Sequence, residues 1–87
     1  MFYPNEFNLK FERLLQKAGV SCYKIEQYAG SDAGYLSRLK TGERQNPSTQ
    51  TLLRISFALV HYSDKVTLED IEELFNSVGK TVLHRRD

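Results

Sequence analysis

The sequence has little cysteine and no long apolar run, and both shortages exclude whole classes of protein. Cys22 is the only cysteine, so neither an intrachain disulfide nor a multi-cysteine metal site can form. No apolar stretch approaches the roughly 18–20 residues of a membrane span. Residues 1–8 also lack the basic start and apolar segment of a signal peptide. We therefore expect a protein of the reducing cytoplasm with no membrane segment.

The chain also lacks the residue patterns of common catalytic and cofactor sites. It has no glycine-rich phosphate loop, and no serine, histidine and aspartate stand in a recognisable catalytic context. The two histidines, His61 and His84, are too far apart in sequence for a local metal motif. The adjacent acids Glu72 and Glu73 lie on a polar helix face. We therefore expect no enzyme activity, no cofactor, no metal ion and no small-molecule ligand.

Net charge is small, at +1 from twelve basic and eleven acidic residues, but it is unevenly distributed. Residues 1–62 contain eight basic and five acidic side chains, whereas residues 63–87 contain four basic and six acidic ones. A surface that attracts phosphate would therefore have to lie in the first two-thirds of the chain.

Hydrophobic residues make up 40% of the 87 residues, which is enough for the core of one small domain. They recur at intervals of three and four along five segments, the spacing of amphipathic helices, and strand signals are poor. We predict an all-α domain of five helices. The expected inward-facing residues are Phe7, Phe11, Leu14, Leu15 and Ala18 in the first helix, Cys22, Ile25 and Ala29 in the second, Leu36 and Leu39 in the third, Leu52, Ile55, Ala58 and Leu59 in the fourth, and Leu68, Ile71, Leu74, Phe75 and Val78 in the fifth.

Residues that start and stop helices bound these segments. The expected N-terminal caps of the second to fifth helices are Ser21, Asp32, Ser48 and Thr67, the last paired with Asp70 in a capping box. The expected C-terminal stops of the first, second, third and fifth helices are Gly19, Gly30, Gly42 and Gly79. The apolar stripe of the fifth helix predicts packing on the first and fourth helices, with a dimer contact as the alternative.

Residues 21–39 form the most informative unit of the sequence. Two short helices are joined at Gly30, because a sharp turn needs a residue that tolerates a positive φ. Ile25, Leu36 and Leu39 can then fix the crossing angle of the two helices. The remaining faces of the third helix project outward and could enter a DNA major groove.

Three segments between residues 11 and 60 form a recognisable pattern, and they read LLQKAGVS, YLSRLKTGER and PSTQTLLRISFAL. With them the chain resembles the repressor/Cro-type (XRE) helix-turn-helix family. In that family a leucine-rich first helix ends near a glycine, a helix pair follows, and Pro-Ser opens a fourth helix that ends in Ala-Leu. The matching positions are Ser37, Arg38, Gly42, Arg44, Pro47, Ser48, Leu52, Leu53, Ala58 and Leu59.

The resemblance implies a repressor-like five-helix fold in a single domain over residues 1–87. The family-like core spans about residues 7–62, and residues 63–87 form an additional helix and a tail. It also implies the function: a sequence-specific, double-stranded-DNA-binding transcriptional regulator, acting as a repressor at the nucleoid, that inserts its third helix into the major groove. A homodimer on paired half-sites, or a protein partner, fits the same interpretation.

The resemblance assigns base reading to Ala33, Gly34, Ser37 and Arg38. A guanidinium such as that of Arg38 can bond guanine in a bidentate way, and the hydroxyl of Ser37 can bond either kind of base. Ala33 could touch a thymine methyl group, while Gly34 permits close approach. For Arg38, an ordinary solvated arginine is the alternative interpretation.

Phosphate binding is assigned to the third helix, the loop that follows it and the start of the fourth helix. The residues are Tyr35, Lys40, Thr41, Arg44, Asn46, Ser48, Thr49 and Gln50. Two positions depart from the family pattern. Glu26 replaces a small residue where the second helix meets the third, and Cys22 replaces a glutamine that can touch phosphate.

A second interpretation keeps the fold and changes the function. Here the chain is a helix-turn-helix-fold protein-interaction module, an antitoxin or anti-repressor partner with little DNA affinity. The near-neutral charge, the Ala33-Gly34 pair and Cys22 favour it. Against it stand Arg38, Lys40 and Arg44, which we expect to cluster on one surface and which favour DNA binding.

Overall fold

A computed structural model describes residues 3–30 and 33–79 of the chain. These residues form five helices and no strand, which confirms the all-α prediction. The helices are α1 (Glu6–Ala18), α2 (Cys22–Ala29), α3 (Ala33–Thr41), α4 (Thr49–Tyr62) and α5 (Leu68–Asn76). No helix in this described part of the chain is long and apolar enough to cross a bilayer.

One hydrophobic core joins all five helices. The buried apolar residues are Phe7, Phe11, Leu14 and Leu15 of α1, Ile25 of α2, Leu36 and Leu39 of α3, Leu52, Ile55, Ala58 and Leu59 of α4, Val66 before α5, and Ile71, Leu74 and Phe75 of α5. Helix α1 contacts α3, α4 and α5, while α2 packs against α3 and α4. This arrangement places α3 at one side of the domain and α5 at another, with α1 between them.

The local signals in the sequence predicted most helix ends correctly. Gly19 and Gly30 adopt the left-handed conformation, with φ values of 70° and 69°, directly after α1 and α2. The hydroxyl oxygens of Ser21 and Ser48 accept hydrogen bonds from backbone amides in the first turns of α2 and α4. Asp32, the expected cap of α3, lies outside the described residues.

The start of α1 has a capping box that the sequence analysis missed. The Asn5 side chain accepts a hydrogen bond from the Asn8 amide at 3.0 Å, and the Asn8 side chain accepts one from the Asn5 amide at 2.8 Å. The two asparagines thus occupy the positions that Ser/Thr and Glu/Gln usually occupy in a capping box.

Helix α5 differs from its prediction in two ways. It begins with the expected box, in which Thr67 and Asp70 exchange side-chain-to-amide bonds of 3.1 and 3.0 Å, but it ends at Asn76, before Gly79. Its first residue, Leu68, was expected to face inward and is 59% exposed. Leu68 lies on the same apolar stripe as Ile71 and Phe75, but it is the first residue of α5, where α4 does not cover the stripe.

Packing of α5 on α1 is confirmed, and two ion pairs border the contact. Lys17 Nζ lies 2.6 Å from a carboxylate oxygen of Asp70, and Lys10 Nζ lies 3.9 Å from one of Glu73. Between α5 and α4 the packing is incomplete and leaves a groove. There the six apolar residues Leu53, Phe57, Val60, Leu68, Ile71 and Phe75 line this groove of about 200 Å³.

Candidate nucleic-acid interface

Helix α3 has one buried face and one exposed face. Leu36 and Leu39 are fully buried and pack with Ile25 of α2. Because Leu36 and Leu39 point inward, Ser37 and Arg38, which lie between them in sequence, are exposed. The outward face of α3 is therefore fixed by its core contacts.

The expected base-reading residues lie on this outward face as far as the structure describes them. Gly34, Ser37 and Arg38 are exposed, with Gly34 one turn before Ser37 and Arg38 along the helix. Ala33 is the first residue of α3, and its side chain is not among those that the structure describes. Gly34 offers no side chain, so Ser37 and Arg38 carry the chemistry of this surface.

Arg38 has a neighbour that the sequence analysis did not anticipate. Its Nε atom lies 3.2 Å from a carboxylate oxygen of Glu43, and the two side chains are 47% and 40% exposed. The ion pair engages the Nε atom of the guanidinium. It also places a negative charge beside the candidate base reader.

Asn8 of α1 connects the end of α3 to the loop that follows it. Its Nδ2 atom donates to the backbone oxygen of Leu39 at 2.5 Å and to that of Arg44 at 2.9 Å. Asn8 is fully buried, and its Oδ1 atom accepts a hydrogen bond from the backbone amide of Asn5. The side-chain amide of Asn8 therefore forms hydrogen bonds through both its oxygen and its nitrogen. One side chain therefore sets the path of the backbone from α3 into the loop.

The sequence contains a signal for Asn8 that could have been used. Asn8, Phe11 and Leu15 stand at the helical spacing of three and four, so Asn8 lies on the apolar stripe of α1. A polar residue on such a stripe is buried, and a buried amide must find hydrogen-bond partners. What the spacing does not reveal is where on the chain those partners lie.

Residues 3–5 pack over the same loop. Gln45 Nε2 donates to the backbone oxygen of Tyr3 at 2.7 Å, and Asn5 Nδ2 donates to the backbone oxygen of Gln45 at 3.3 Å. Gly42 ends α3 with φ of 101°, and a Cβ atom there would lie 2.8 Å from Pro4 Cα. The predicted stop at Gly42 thus has a second cause, the close approach of Pro4.

The three cations named from the sequence are exposed, but they do not form one cluster. Arg44 lines a cleft of about 490 Å³ together with Tyr35 and Asn46. Lys40 borders a different cleft, beside Cys22 at the start of α2. Arg38 lies between these two sides, on the outward face of α3, so Lys40 and Arg44 flank that face and do not share one site with Arg38.

The start of α4 adds a helix N-terminus to this region. Ser48 accepts from the Thr51 amide at 3.1 Å and also donates its hydroxyl to Thr51 Oγ1 at 3.1 Å. Its side chain is therefore engaged in the cap. Thr49 and Gln50 are exposed in the first turn, where the amide groups of a helix favour an anion.

Thr41 lies in the last turn of α3, and its hydroxyl donates to the backbone oxygen of Arg38 at 3.3 Å.

Cys22 is partly buried and packs against the core. Burial raises the pKa of its thiol, and the nearby charge of Lys40 offsets only part of that rise, so the thiol stays protonated at neutral pH. Glu26, the other departure from the family pattern, is half-buried on α2.

The basic residues of α1 face away from this region. Lys10 and Lys17 form ion pairs with acidic residues of α5, and Arg13 lies in the same cleft between α1 and α5.

The ring of His61 stacks on that of Tyr28, with ring centres 4.5 Å apart. Among residues 3–30 and 33–79, no group of three histidine, cysteine or acidic side chains could hold a metal ion.

Comparisons with protein-family models, with curated proteins and with solved structures found no match to this chain.

Proposed function

We propose that this chain is a sequence-specific, double-stranded-DNA-binding transcriptional regulator, acting as a repressor, whose α3 enters the major groove. One observation carries the proposal: α3 buries Leu36 and Leu39 and presents Ser37 and Arg38 outward from the opposite face. An α-helix fits the major groove, and hydroxyl and guanidinium groups read base edges there. The resemblance in residues 11–60 supports the same function.

The ion pair of Arg38 is compatible with base reading. Glu43 contacts the Nε atom of Arg38, whereas a bidentate contact with guanine can be made by the two terminal nitrogens of the guanidinium. The carboxylate would then orient the side chain. If the approach to DNA requires the pair to open, the cost is small, since exposed ion pairs contribute about 0–1 kcal/mol.

Phosphate contacts are proposed on the loop side of α3. Arg44 and Asn46 lie on one cleft there, and the exposed first turn of α4 follows at Thr49 and Gln50. Asn8 fixes the backbone between α3 and Arg44, so base-reading and phosphate-binding residues keep a constant spacing. Phosphate contacts position a protein on the duplex in this way, while base contacts specify the sequence.

The salt dependence of duplex binding tests the proposal. Affinity for a random duplex should fall steeply between about 50 and 200 mM salt, with a slope set by the number of phosphates neutralised. Arg44→Ala should reduce that slope by about one. Arg13→Ala is the matched control, because Arg13 is equally an exposed arginine but faces α5, and it should leave the slope unchanged.

The alternative function is a protein-interaction module with little DNA affinity. The carboxylate of Glu43 beside Arg38 and the net charge of only +1 favour it, since both weaken attraction to phosphate. Glu43→Gln separates the two functions. It should strengthen duplex binding at low salt if the proposal holds, whereas a folded protein that fails to bind duplex before and after this change fits the interaction module.

A further inference from the structure

The loop between α3 and α4 is held by side chains from the beginning of the chain. Residues 42–48 connect the two helices without a helix or strand of their own. Two backbone oxygens of this loop accept hydrogen bonds from asparagine side chains: that of Arg44 from Asn8 at 2.9 Å, and that of Gln45 from Asn5 at 3.3 Å. The path of the loop is therefore fixed by residues 36 and 40 positions earlier in the sequence.

The same two asparagines form the capping box of α1. Each accepts the backbone amide of the other through its side-chain oxygen, and each donates to the loop through its side-chain nitrogen. A carboxamide can do both, because it carries an acceptor and two N–H donors. The glutamate that is usual at the second position of the box has no donor when it is ionised, so it would cap α1 without holding the loop. The asparagine pair thus couples the cap of α1 to the loop that carries Arg44.

Gln45 completes the contact from the side of the loop. Its Nε2 atom donates to the backbone oxygen of Tyr3 at 2.7 Å, while its own backbone oxygen accepts from Asn5, so Gln45 is bonded to the residues on both sides of Pro4. Pro4 lies against Gly42, the first residue of the loop, which is buried and where a Cβ atom would lie 2.8 Å from Pro4 Cα. Residues 3–5 therefore hold the loop both at its start and at Gln45.

We propose that Asn5, Asn8 and Gln45 form a clamp that positions Arg44 for a phosphate of the DNA backbone. The inference rests on the proposed DNA-binding function. Arg44 is exposed, and its guanidinium forms no ion pair within residues 3–30 and 33–79. Its direction is therefore set by the backbone that the clamp holds. A group that is held in place before binding loses less conformational entropy on binding, so the clamp increases the affinity for DNA.

Gln45 is a positioning residue in this clamp and does not itself contact DNA. It is half-buried, and its side-chain nitrogen is directed at the backbone of Tyr3. The residues on either side of it, Arg44 and Asn46, are exposed. The loop thus alternates a residue that holds the backbone with neighbours that are open to a phosphate.

Hydrogen exchange without DNA, measured by NMR for single amides, tests the clamp. The backbone amide of Arg44 donates to the backbone oxygen of Arg38 at 3.0 Å, so its exchange rate reports local opening of the loop. Gln45→Met keeps the length of the side chain and removes the donor. It should raise the rate by roughly two- to ten-fold, the factor that the net contribution of one hydrogen bond corresponds to. Gln27→Met is the matched control, because Gln27 is exposed on α2, and equal rates in the two variants would overturn the proposal.

Asn5→Ser separates the clamp from the cap of α1. Serine is about as good an N-cap as asparagine, so global stability should change little, but the donor to the Gln45 backbone oxygen is lost. The Arg44 amide should then exchange at least about two-fold faster. Faster exchange that appears only with a matching loss of global stability in urea would contradict the clamp, since it would report general unfolding.

A double-mutant cycle tests the role of the clamp in DNA binding. Gln45→Met should weaken binding to a random duplex by roughly two- to ten-fold, but it should have little effect when Arg44 is already alanine, because it acts through Arg44. Additive losses would overturn the proposal, since Gln45 would then act on DNA by another route. If the unchanged protein does not bind duplex, the proposed function fails and the role of the clamp in binding fails with it. That outcome is distinguishable from failure of the clamp itself, because the exchange measurement contains no DNA.

Discussion

Replacing Asn8 by alanine should destabilise the protein more than any other single change of a polar side chain on α1. The substitution leaves the backbone oxygens of Leu39 and Arg44 without a donor and the Asn5 amide without an acceptor. A buried polar group left unsatisfied costs about 1–3 kcal/mol. Water can reach the Asn5 and Arg44 groups, which are only partly buried, and alanine favours the helix slightly.

The net expectation is therefore a loss of about 2–4 kcal/mol in the free energy of unfolding. For a domain of 60–100 residues, 1 kcal/mol corresponds to roughly 4–8 °C in Tm, so Tm should fall by about 10–25 °C. Urea unfolding followed by far-UV circular dichroism measures the free energy directly. Asn8→Asp should cost at least as much, because its carboxylate would face two carbonyl oxygens.

Asn76→Ala is the matched control, since Asn76 is exposed at the last turn of α5. It should change stability by less than about 0.5 kcal/mol. The reasoning about Asn8 is refuted if Asn8→Ala has an effect as small as that of Asn76→Ala.

Three further substitutions test separate contacts. Gly42→Ala should cost about 2 kcal/mol or more, since φ is 101° and the new Cβ would lie 2.8 Å from Pro4 Cα; a urea midpoint equal to that of the unchanged protein contradicts this. Ser48→Ala should cost about 1 kcal/mol through the lost cap of α4, with Thr49→Ala as a near-neutral control in the same unfolding assay. For Asp70, burial of the carboxyl raises the pKa, but hydrogen bonds from Lys17 and Thr67 outweigh it and hold the pKa below its ordinary value. The stability from a lowered pKa is present above the unfolded-state pKa of about 3.9 and is lost as pH falls through the folded-state pKa. Asp70→Asn should therefore destabilise the protein at pH 7 and progressively less toward pH 2, and a pH-independent difference would be inconsistent with this pair.

Features governed by neighbouring residues were predictable from the sequence. The caps at Ser21, Ser48 and Thr67 and the left-handed stops at Gly19 and Gly30 each depend on contacts within a few positions. The helical spacing of apolar residues also gave most of the core. These are local effects of backbone geometry and of amphipathic periodicity.

Features that depend on distant parts of the chain were not predictable. Asn8 bonds to Leu39 and Arg44, more than thirty positions away, and nothing local to Asn8 encodes those partners. The pairing of Arg38 with Glu43 needs the turn after α3 to bring the two side chains together. The exposure of Leu68 depends on the placement of the whole of α5, which periodicity alone does not determine.

The candidate interface also combines features that local spacing predicts with features that depend on distant parts of the chain. An outward α3 face follows from the inward Leu36 and Leu39, and periodicity predicted it. The separation of Lys40 from Arg44 onto different clefts depends on how α2 and the loop pack around α3. Sequence spacing therefore identified the exposed residues but not their grouping.

Selection of bound sequences from a random duplex library tests the central claim most directly. If α3 reads the major groove, the unchanged protein should enrich a motif that contains a guanine, and Arg38→Ala should lose the preference at that base pair while it still binds duplex. Recovery of no enriched motif at low salt by the folded protein, or an identical motif from Arg38→Ala, would contradict the account.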